Sequence, residues 1–244
     1  MENYVLWLPG WYPTKQCPFE GDFIQRHAKA AALYRKIIVV FVKKESNGNK
    51  AGSYNIMRQS DGNLIEIICT YKPFSCGISF IDKAISYFNY HRHLKKMIRE
   101  VIAKNGIPLG IHTHVIARNA GISLYLKRKL KIPLILSEHW SVFLQASADE
   151  FGKINFLIRR KWKSAFQAAD KITVVSDVLG KGLQHHMMIA NYAVIPNVVD
   201  TRIFYPAVSP SAGVVNFLHI SLGGPHKNLP GIFKAFAILK KNNI

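Results

Sequence analysis

The chain has 244 residues, long for one ordinary domain and short for two full ones, since domains cluster at about 100–200 residues. Its 49% hydrophobic, 11% aromatic and 19% charged residues exclude a disordered chain, a collagen-like repeat and a coiled coil. Thirty-three Lys and Arg against fourteen Asp and Glu leave a net charge of +19, which points to anionic partners: nucleic acid, phosphorylated metabolites or an acidic membrane surface.

Short β-rich apolar runs alternate with longer amphipathic stretches, the pattern of βαβ units and a parallel sheet covered by helices. The first expected strand is Tyr4–Leu8, running into Pro9-Gly10. The residues up to Leu8 carry an acid at Glu2 and lack the basic start and apolar core of a secretory signal, so a cytoplasmic protein is expected. A helix near 21–35 leads to a strand at Ile37–Val42, an apolar run far below the ~20 residues that cross a bilayer. Asn47-Gly48-Asn49 and Asp61-Gly62-Asn63 mark turns on either side of the next segment. A strand at Leu64–Thr70 precedes a helix over 82–104, where Ile81, Ile85, Phe88, Ile98 and Ile102 fall on one face and basic residues on the other. Strands at Gly110–Val115, Pro133–Ser137, Lys171–Val175 and Ala193–Ile195 alternate with helices over 117–131, 153–169 and 176–188.

The periodic pattern breaks at Pro206–Gly213, which reads as a linker. A strand at Val214–Ile220 and a helix over 229–241 follow. One strand and one helix cannot bury their own apolar faces, so this tail either packs on the first domain or opens a second one. The expected organisation is an α/β Rossmann-like parallel sheet flanked by helices over 1–205, a linker at 206–213, and an incomplete second Rossmann-like domain at 214–244.

Several chemistries lack their signatures. There is no GxGxxG after a strand, no GxxxxGK[ST], no HExxH, no GxSxG and no Asp-x-Asp pair for a carboxylate-held magnesium. Cys17, Cys69 and Cys76 are odd in number and without CxxC spacing, so they read as reduced thiols rather than a zinc site or a disulfide framework. What stands out is the loop after the first strand, Pro9-Gly10-Trp11-Tyr12-Pro13, leading through Pro18-Phe19-Glu20-Gly21-Asp22-Phe23 to His27-Ala28. Ligands of open α/β sheets bind outside the carboxyl ends of strands, and Gly21 would let backbone N–H groups approach an anion at the start of the next helix. The alternative is an ordinary connection with Asp22 as helix cap. His112 and His114 flank Thr113 with strand spacing, which puts both imidazoles on one face. With no third ligand in view, a polar lining of a cleft by His114 is preferred to a metal site.

Five segments carry a family resemblance: WYPTKQCPFEGDFIQRHAKAAAL near the start, EHWS at Glu138–Ser141, VVS at Val174–Ser176, IPNVVDTRIF at Ile195–Phe204, and FLHISLGGPHKNLPGIFKAFAILKK near the end. In this order they resemble successive blocks of the family 4 glycosyltransferases, retaining enzymes of the GT-B fold that use nucleotide sugars. The resemblance implies an acceptor-side domain followed by the opening of a donor-binding domain. It also implies transfer of a sugar from a nucleoside diphosphate sugar to a hydroxyl with retention, with no cofactor and no essential metal. It matches His139 to the family's active-site histidine, a residue able to donate to a sugar hydroxyl or phosphate near neutral pH. Glu138 beside it would hold the ring or an acceptor hydroxyl, or cap the next loop. His27 and His114 would join Glu138 on the acceptor side. On the donor side, Gly21 would admit the phosphates, Asn197 would shape the hinge, and Lys227 would neutralise the leaving diphosphate. The family's arginine five positions before that lysine is Leu222 here, its glycine after Asn197 is Val198, and its paired donor glutamates would lie beyond Ile244. The chain by itself is therefore expected to be inactive.

The basic runs Arg92-His93-Leu94-Lys95-Lys96, Lys127-Arg128-Lys129 and Arg159-Arg160-Lys161-Trp162-Lys163 fall on expected helices. They favour contact with anionic lipid on the inner face of a membrane, which suits a lipid-linked or polysaccharide acceptor in cell-surface glycan synthesis. No nucleic-acid-binding pattern accompanies them, so no nucleic-acid partner is expected. The competing functions are a non-catalytic basic module that docks on membrane or phosphate and, more weakly, a nucleotide-sugar epimerase.

Overall fold

The computed structural model describes residues 3–45, 51–144, 147–206, 217–221, 224 and 227–242. They divide into two compact units, Met1–Thr201 and Arg202–Ile244. The strands of the first unit are β1 (Tyr4–Pro9), β2 (Lys36–Lys44), β3 (Tyr54–Asp61), β4 (Leu64–Tyr71), β5 (Gly110–His114), β6 (Leu134–Glu138), β7 (Lys171–Val174) and β8 (Ala193–Val194). They form one sheet in the order β3-β4-β2-β1-β5-β6-β7-β8. Every pairing is parallel except that of β3 with β4. The helices are α1 (Asp22–Ala32), α2 (Ser79–Asn105), α3 (Ala120–Leu130), α4 (Ala148–Gly152), α5 (Phe156–Ala168), α6 (Asp177–Met187) and α7 (Leu229–Lys241), with a 3₁₀ turn at Ser141–Phe143.

The central strands are nearly continuous apolar runs because both faces of the sheet are covered. In β2, Ile37, Val39 and Phe41 meet Ile24, Ala28 and Ala32 of α1 on one face. On the other, Ile38, Val40 and Val42 join a larger core built with α2, α3, α5 and α6. The chain runs outward from β1 through β2 to β4, then returns to lay β5 on the other side of β1. The strand order therefore reverses between β1 and β5, where Pro9 stands beside His114. Connections that leave a sheet in opposite directions open a crevice at that point.

Two elements differ from the sequence reading. The segment Tyr54–Asp61 is a strand, antiparallel to β4 and hairpinned to it through Gly62, whose φ is +55°. It is a mostly exposed edge strand with polar side chains, so it lacks the apolar run that marks its neighbours. The second difference lies in the first turns of α2: Ile98 is buried and Ile102 packs on the core as expected, but the rest of the expected stripe does not. The buried residues of the helix are Ser86, Tyr90, Leu94, Met97, Ile98 and Val101, whereas Ile81 and Phe88 are exposed. Polar anchors decide this orientation: the Tyr90 hydroxyl donates to Asn119 Oδ1 at 2.6 Å, and the Tyr71 hydroxyl donates to the Ser86 carbonyl at 2.8 Å.

The expected strand at Val214–Ile220 is irregular over residues 217–220, and 214–216 lie outside the described residues, as do the turn at Asn47-Gly48-Asn49, Leu222 and all of the linker after Pro206. In the second unit α7 spans the expected 229–241, started by Asn228, whose side chain accepts from the Gly231 N–H. None of its described residues is buried, and Phe233 and Ile238 lie open. All three cysteines are free.

Gly182 illustrates how closely α6 is seated. A Cβ there would run into the Phe143 carbonyl oxygen of the 3₁₀ turn, and backbone cannot give way as a flexible side chain can. Gly182→Ala is expected to lower unfolding stability by about 1–3 kcal/mol, read from urea denaturation.

Candidate active site

The loop after β1 is pinned from both sides. The Gly10 N–H donates to the His114 carbonyl at 2.7 Å. The Tyr12 hydroxyl donates to the buried Glu66 carboxylate on β4 at 2.5 Å, and Gln25 Nε2 donates to the same oxygen at 2.9 Å. Burial and the facing carboxylate both push the Tyr12 phenol up, keeping it a donor. Gly21 caps α1 with φ +70°, and a Cβ on it would stand 2.5 Å from the Trp11 carbonyl carbon. The glycine thus lets the loop backbone fold onto the helix start. Asp22 is the first helical residue and pairs with Arg26 at 3.1 Å, so it does not cap.

The next turn, after β5, is held under strain. Val115 is β-branched and has φ +56°, a conformation costing on the order of 1–3 kcal/mol. Hydrogen bonds from several sides fix the turn around it. The Val115 N–H donates to the Ser137 carbonyl, the Ile116 N–H donates to Glu138 Oε2 at 3.1 Å, and Trp162 Nε1 donates to the Ala117 carbonyl at 2.8 Å. Asn119 Nδ2 reaches back to the carbonyls of Leu8 and Pro9 at 3.1 and 3.0 Å. Glu138 completes the frame: its Oε1 accepts the N–H groups of His139 and Trp140, each at 2.9 Å. Burial pushes this carboxyl up to about 7, against the pull of three backbone donors that favour the carboxylate. Of the roles open to Glu138 in the sequence, these three bonds are those of a loop cap.

This frame gathers the histidines. His139 Nε2 lies 3.3 Å from His114 Nδ1, with the two rings stacked at 5.5 Å. His27 of α1 meets His139 edge-on at 5.6 Å, and Phe23 stands 5.0 Å from it. His112 lies beside His114 at 4.1 Å on the strand face expected from their spacing, and Trp7 covers both. His112 Nε2 and Ser137 Oγ are 2.6 Å apart, and Ser137 Oγ is 2.5 Å from Thr173 Oγ1, a polar rung across β5, β6 and β7. The four histidines line, with Trp7, Ser137 and Thr173, a cavity of about 350 Å³ beside α1.

All four imidazoles are held neutral. Burial is the first cause for each, lowering His139 to about 4, His112 to about 3, His114 well below its usual value and His27 in the same direction. Repulsion from neighbouring imidazoles adds to it at His112, His114 and His139; the Asn197 amide offsets part of it at His27 and His139, and the Arg26 charge adds to it at His27. His27 Nε2, His114 Nε2 and His139 Nδ1 are buried without a hydrogen-bond partner among the described residues. Unpaired buried ring nitrogens at the mouth of a crevice are suited to hydroxyl groups, to which a neutral imidazole can donate or accept.

The structure thus brings His27, His114, Glu138, His139 and Asn197 together, with Gly21 at the start of the same α1. Lys227 belongs to the second unit, where its N–H donates to the Gly224 carbonyl at 2.8 Å. Trp7, Ser137 and Thr173 were not singled out in the sequence, although Trp7 sits at an inward position of β1 two residues before Pro9.

The model of Glycosyltransferase Family 4 matches residues 68–203, more than half of the chain. The chain belongs to this family. No curated protein matches it by sequence. Among solved structures, sucrose-phosphate synthase from Thermosynechococcus elongatus superposes with a TM-score of 0.55 at 14% identity, over 84% of this chain and 50% of that one. The structure of LpCGTa in complex with UDP gives a TM-score of 0.46 at 12% identity, over 83% of this chain and 56% of that one. The chain spans about half the length of the solved structures it matches. The Rossmann-like, mostly parallel sheet flanked by helices is that of a GT-B glycosyltransferase, as the family membership requires.

Burial of neutral imidazoles makes stability depend on pH with a definite sign. Unfolded, each histidine titrates at its ordinary 6.5, so between 6.5 and the lowered native values the unfolded state binds more protons. Each such proton costs up to about 1.4 kcal/mol per pH unit on acidification. Glu138, raised above its ordinary 4.5, acts in the opposite sense, but it is one group against four. The Tm is expected to fall as pH drops from 6.5 toward 4, less steeply in His112→Gln; a Tm that holds or rises over that window would contradict the neutral cluster.

Proposed function

We propose that the chain is the acceptor-side half of a retaining glycosyltransferase, which moves a sugar from a nucleoside diphosphate sugar to an acceptor hydroxyl. The observation that carries this reading is the set of unpaired, neutral histidine nitrogens at the strand-order reversal of a Glycosyltransferase Family 4 chain. A hydroxyl acceptor needs hydrogen-bond donors and acceptors, and a neutral imidazole supplies both. In this scheme His139 contacts the transferring sugar or the acceptor hydroxyl, while His27 and His114 orient the acceptor. Glu138 positions His139 by fixing its backbone. Asn197 braces His27 and His139 from the loop after β8, and the first turn of α1 behind Gly21 faces the donor phosphates.

The second unit is read as the opening of the donor-binding domain. An α7 whose apolar residues stay exposed fits a helix lacking the rest of its layer. Lys227 would neutralise the leaving diphosphate there once donor and acceptor sides are complete. No metal or organic cofactor is assigned to the reaction. The net charge of +19 supports an anionic, lipid-linked or polysaccharide acceptor at the inner face of a membrane, as in cell-surface glycan synthesis. No helix of the described residues is long and apolar enough to cross a membrane.

Transfer requires both substrates to be held in register, a demand that half a cleft cannot meet. The chain ending at Ile244 is expected to release no nucleoside diphosphate from a panel of nucleotide sugars. Joined to the donor domain of a family member it is expected to do so, with His139→Ala reducing the rate by roughly 10²–10⁴-fold. Turnover by the shorter chain would overturn the division into halves, and an undiminished His139→Ala rate would remove His139 from the transfer site.

A further inference from the structure

The basic runs noted in the sequence lie along α2, α3 and α5, on one face of the sheet. A different cationic cluster, not visible as a run, forms where three elements meet at the carboxyl edge. Lys44 ends β2, Arg118 follows β5, and Lys83 lies one turn into α2; together with Ser79, Ser86 and Tyr87 they line a cavity of about 540 Å³. None of the three cations forms an ion pair among the described residues. The one carboxylate in the lining, Asp82, accepts from Ser75 Oγ at 2.6 Å and from the Cys76 N–H at 2.8 Å and pairs with none of the three, so the lining carries three cations against one anion. Arg118 is steadied over the Tyr90 ring at 5.5 Å, leaving its charge unneutralised.

The same stretch of chain carries an apolar tip. No residue of α2 before Ser86 is buried, so its first turns project past the core. Phe80, Tyr87 and Phe88 share one helix face, being seven and eight residues apart, and are 81%, 51% and 67% exposed. Ile78, just before the helix, is also exposed. An apolar wedge beside an excess of cations matches one environment in particular, the interface of an anionic bilayer, where rings enter the acyl boundary and cations meet phosphates. A free phosphate would have no use for the wedge.

We propose that Lys44, Lys83 and Arg118 bind the phosphate headgroup of an anionic lipid while Phe80 and Phe88 insert beside it, docking the carboxyl edge of the sheet against the membrane. The loops that carry His114 and His139 leave the sheet at that same edge, so a lipid-borne acceptor would meet the crevice without the chain leaving the bilayer. Only this last consequence rests on the glycosyltransferase reading. The docking itself is measured without sugar transfer, so the two can fail separately.

The test is co-sedimentation of the folded chain with phosphatidylcholine vesicles and with the same vesicles containing phosphatidylglycerol. Binding is expected only with phosphatidylglycerol. The double variant Lys83→Glu/Arg118→Glu is expected to lose about tenfold or more of it, and Phe80→Ser/Phe88→Ser to lose a comparable part at high salt. Arg128→Glu/Lys129→Glu on α3 removes the same charge from exposed sites away from the cavity and is expected to lose much less. All the substituted side chains are exposed, and unchanged thermal melts verify the fold. Equal losses from both charge reversals would mean diffuse attraction and overturn the site. Capture of inorganic diphosphate in solution without vesicle binding, or retention of RNA or DNA in place of vesicles, would overturn the lipid assignment.

Discussion

Three backbone N–H groups converging on one buried carboxylate organise the carboxyl edge of this sheet. Glu138 ends β6, and by accepting from Ile116, His139 and Trp140 it ties the turn after β5 to the turn after β6. Neither turn could hold its shape alone. Val115 occupies a left-handed conformation that a β-branched residue avoids, and only a turn bonded on several sides retains such a residue. Asn119, Trp162 and Gly10 supply the other bonds, each of them modest at about 1 kcal/mol, yet together exceeding the strain they hold. The result is a rigid frame at the point where the strand order reverses.

Rigidity there has an electrostatic consequence. Four imidazoles are packed closely enough to repel one another if protonated, and no described carboxylate is placed to balance them except Glu138, whose oxygens already serve the backbone. The cluster is therefore neutral at physiological pH inside a chain that is otherwise strongly cationic. Neutral imidazoles suit hydroxyl groups, while cationic side chains are gathered on α2, α3, α5 and around Lys44, Lys83 and Arg118. Neutral imidazoles and cationic side chains thus occupy neighbouring parts of one edge.

Much of the fold was legible in the chain because buried parallel strands and their covering helices impose strong patterns. The runs at Tyr4–Leu8, Ile37–Val42 and Leu64–Thr70 lie within the observed strands, and the shared face of His112 and His114 follows from the strand period alone. Edge strand Tyr54–Asp61 escaped notice because one exposed side and polar residues leave no apolar run. The exposure of the first turns of α2 escaped for a different reason, while Ile98 and Ile102 pack as the period implies. Ile81, Ile85 and Phe88 make a plausible stripe, but the helix begins beyond the core, and its burial is set by Tyr90 and Ser86 bonding to Asn119 and Tyr71, partners far away in sequence.

Sequence by itself determined the α/β class, the alternation of strands and helices, the charge, and the family blocks that single out His139, because each is written in local residue order and period. Only the tertiary structure decided which histidines meet, that Glu138 serves the backbone, and that Lys44, Lys83 and Arg118 share a cavity. Those facts depend on β5 returning beside β1 and on turns from separate strands closing against one another. Contacts of that kind join residues tens of positions apart, and no local pattern encodes them.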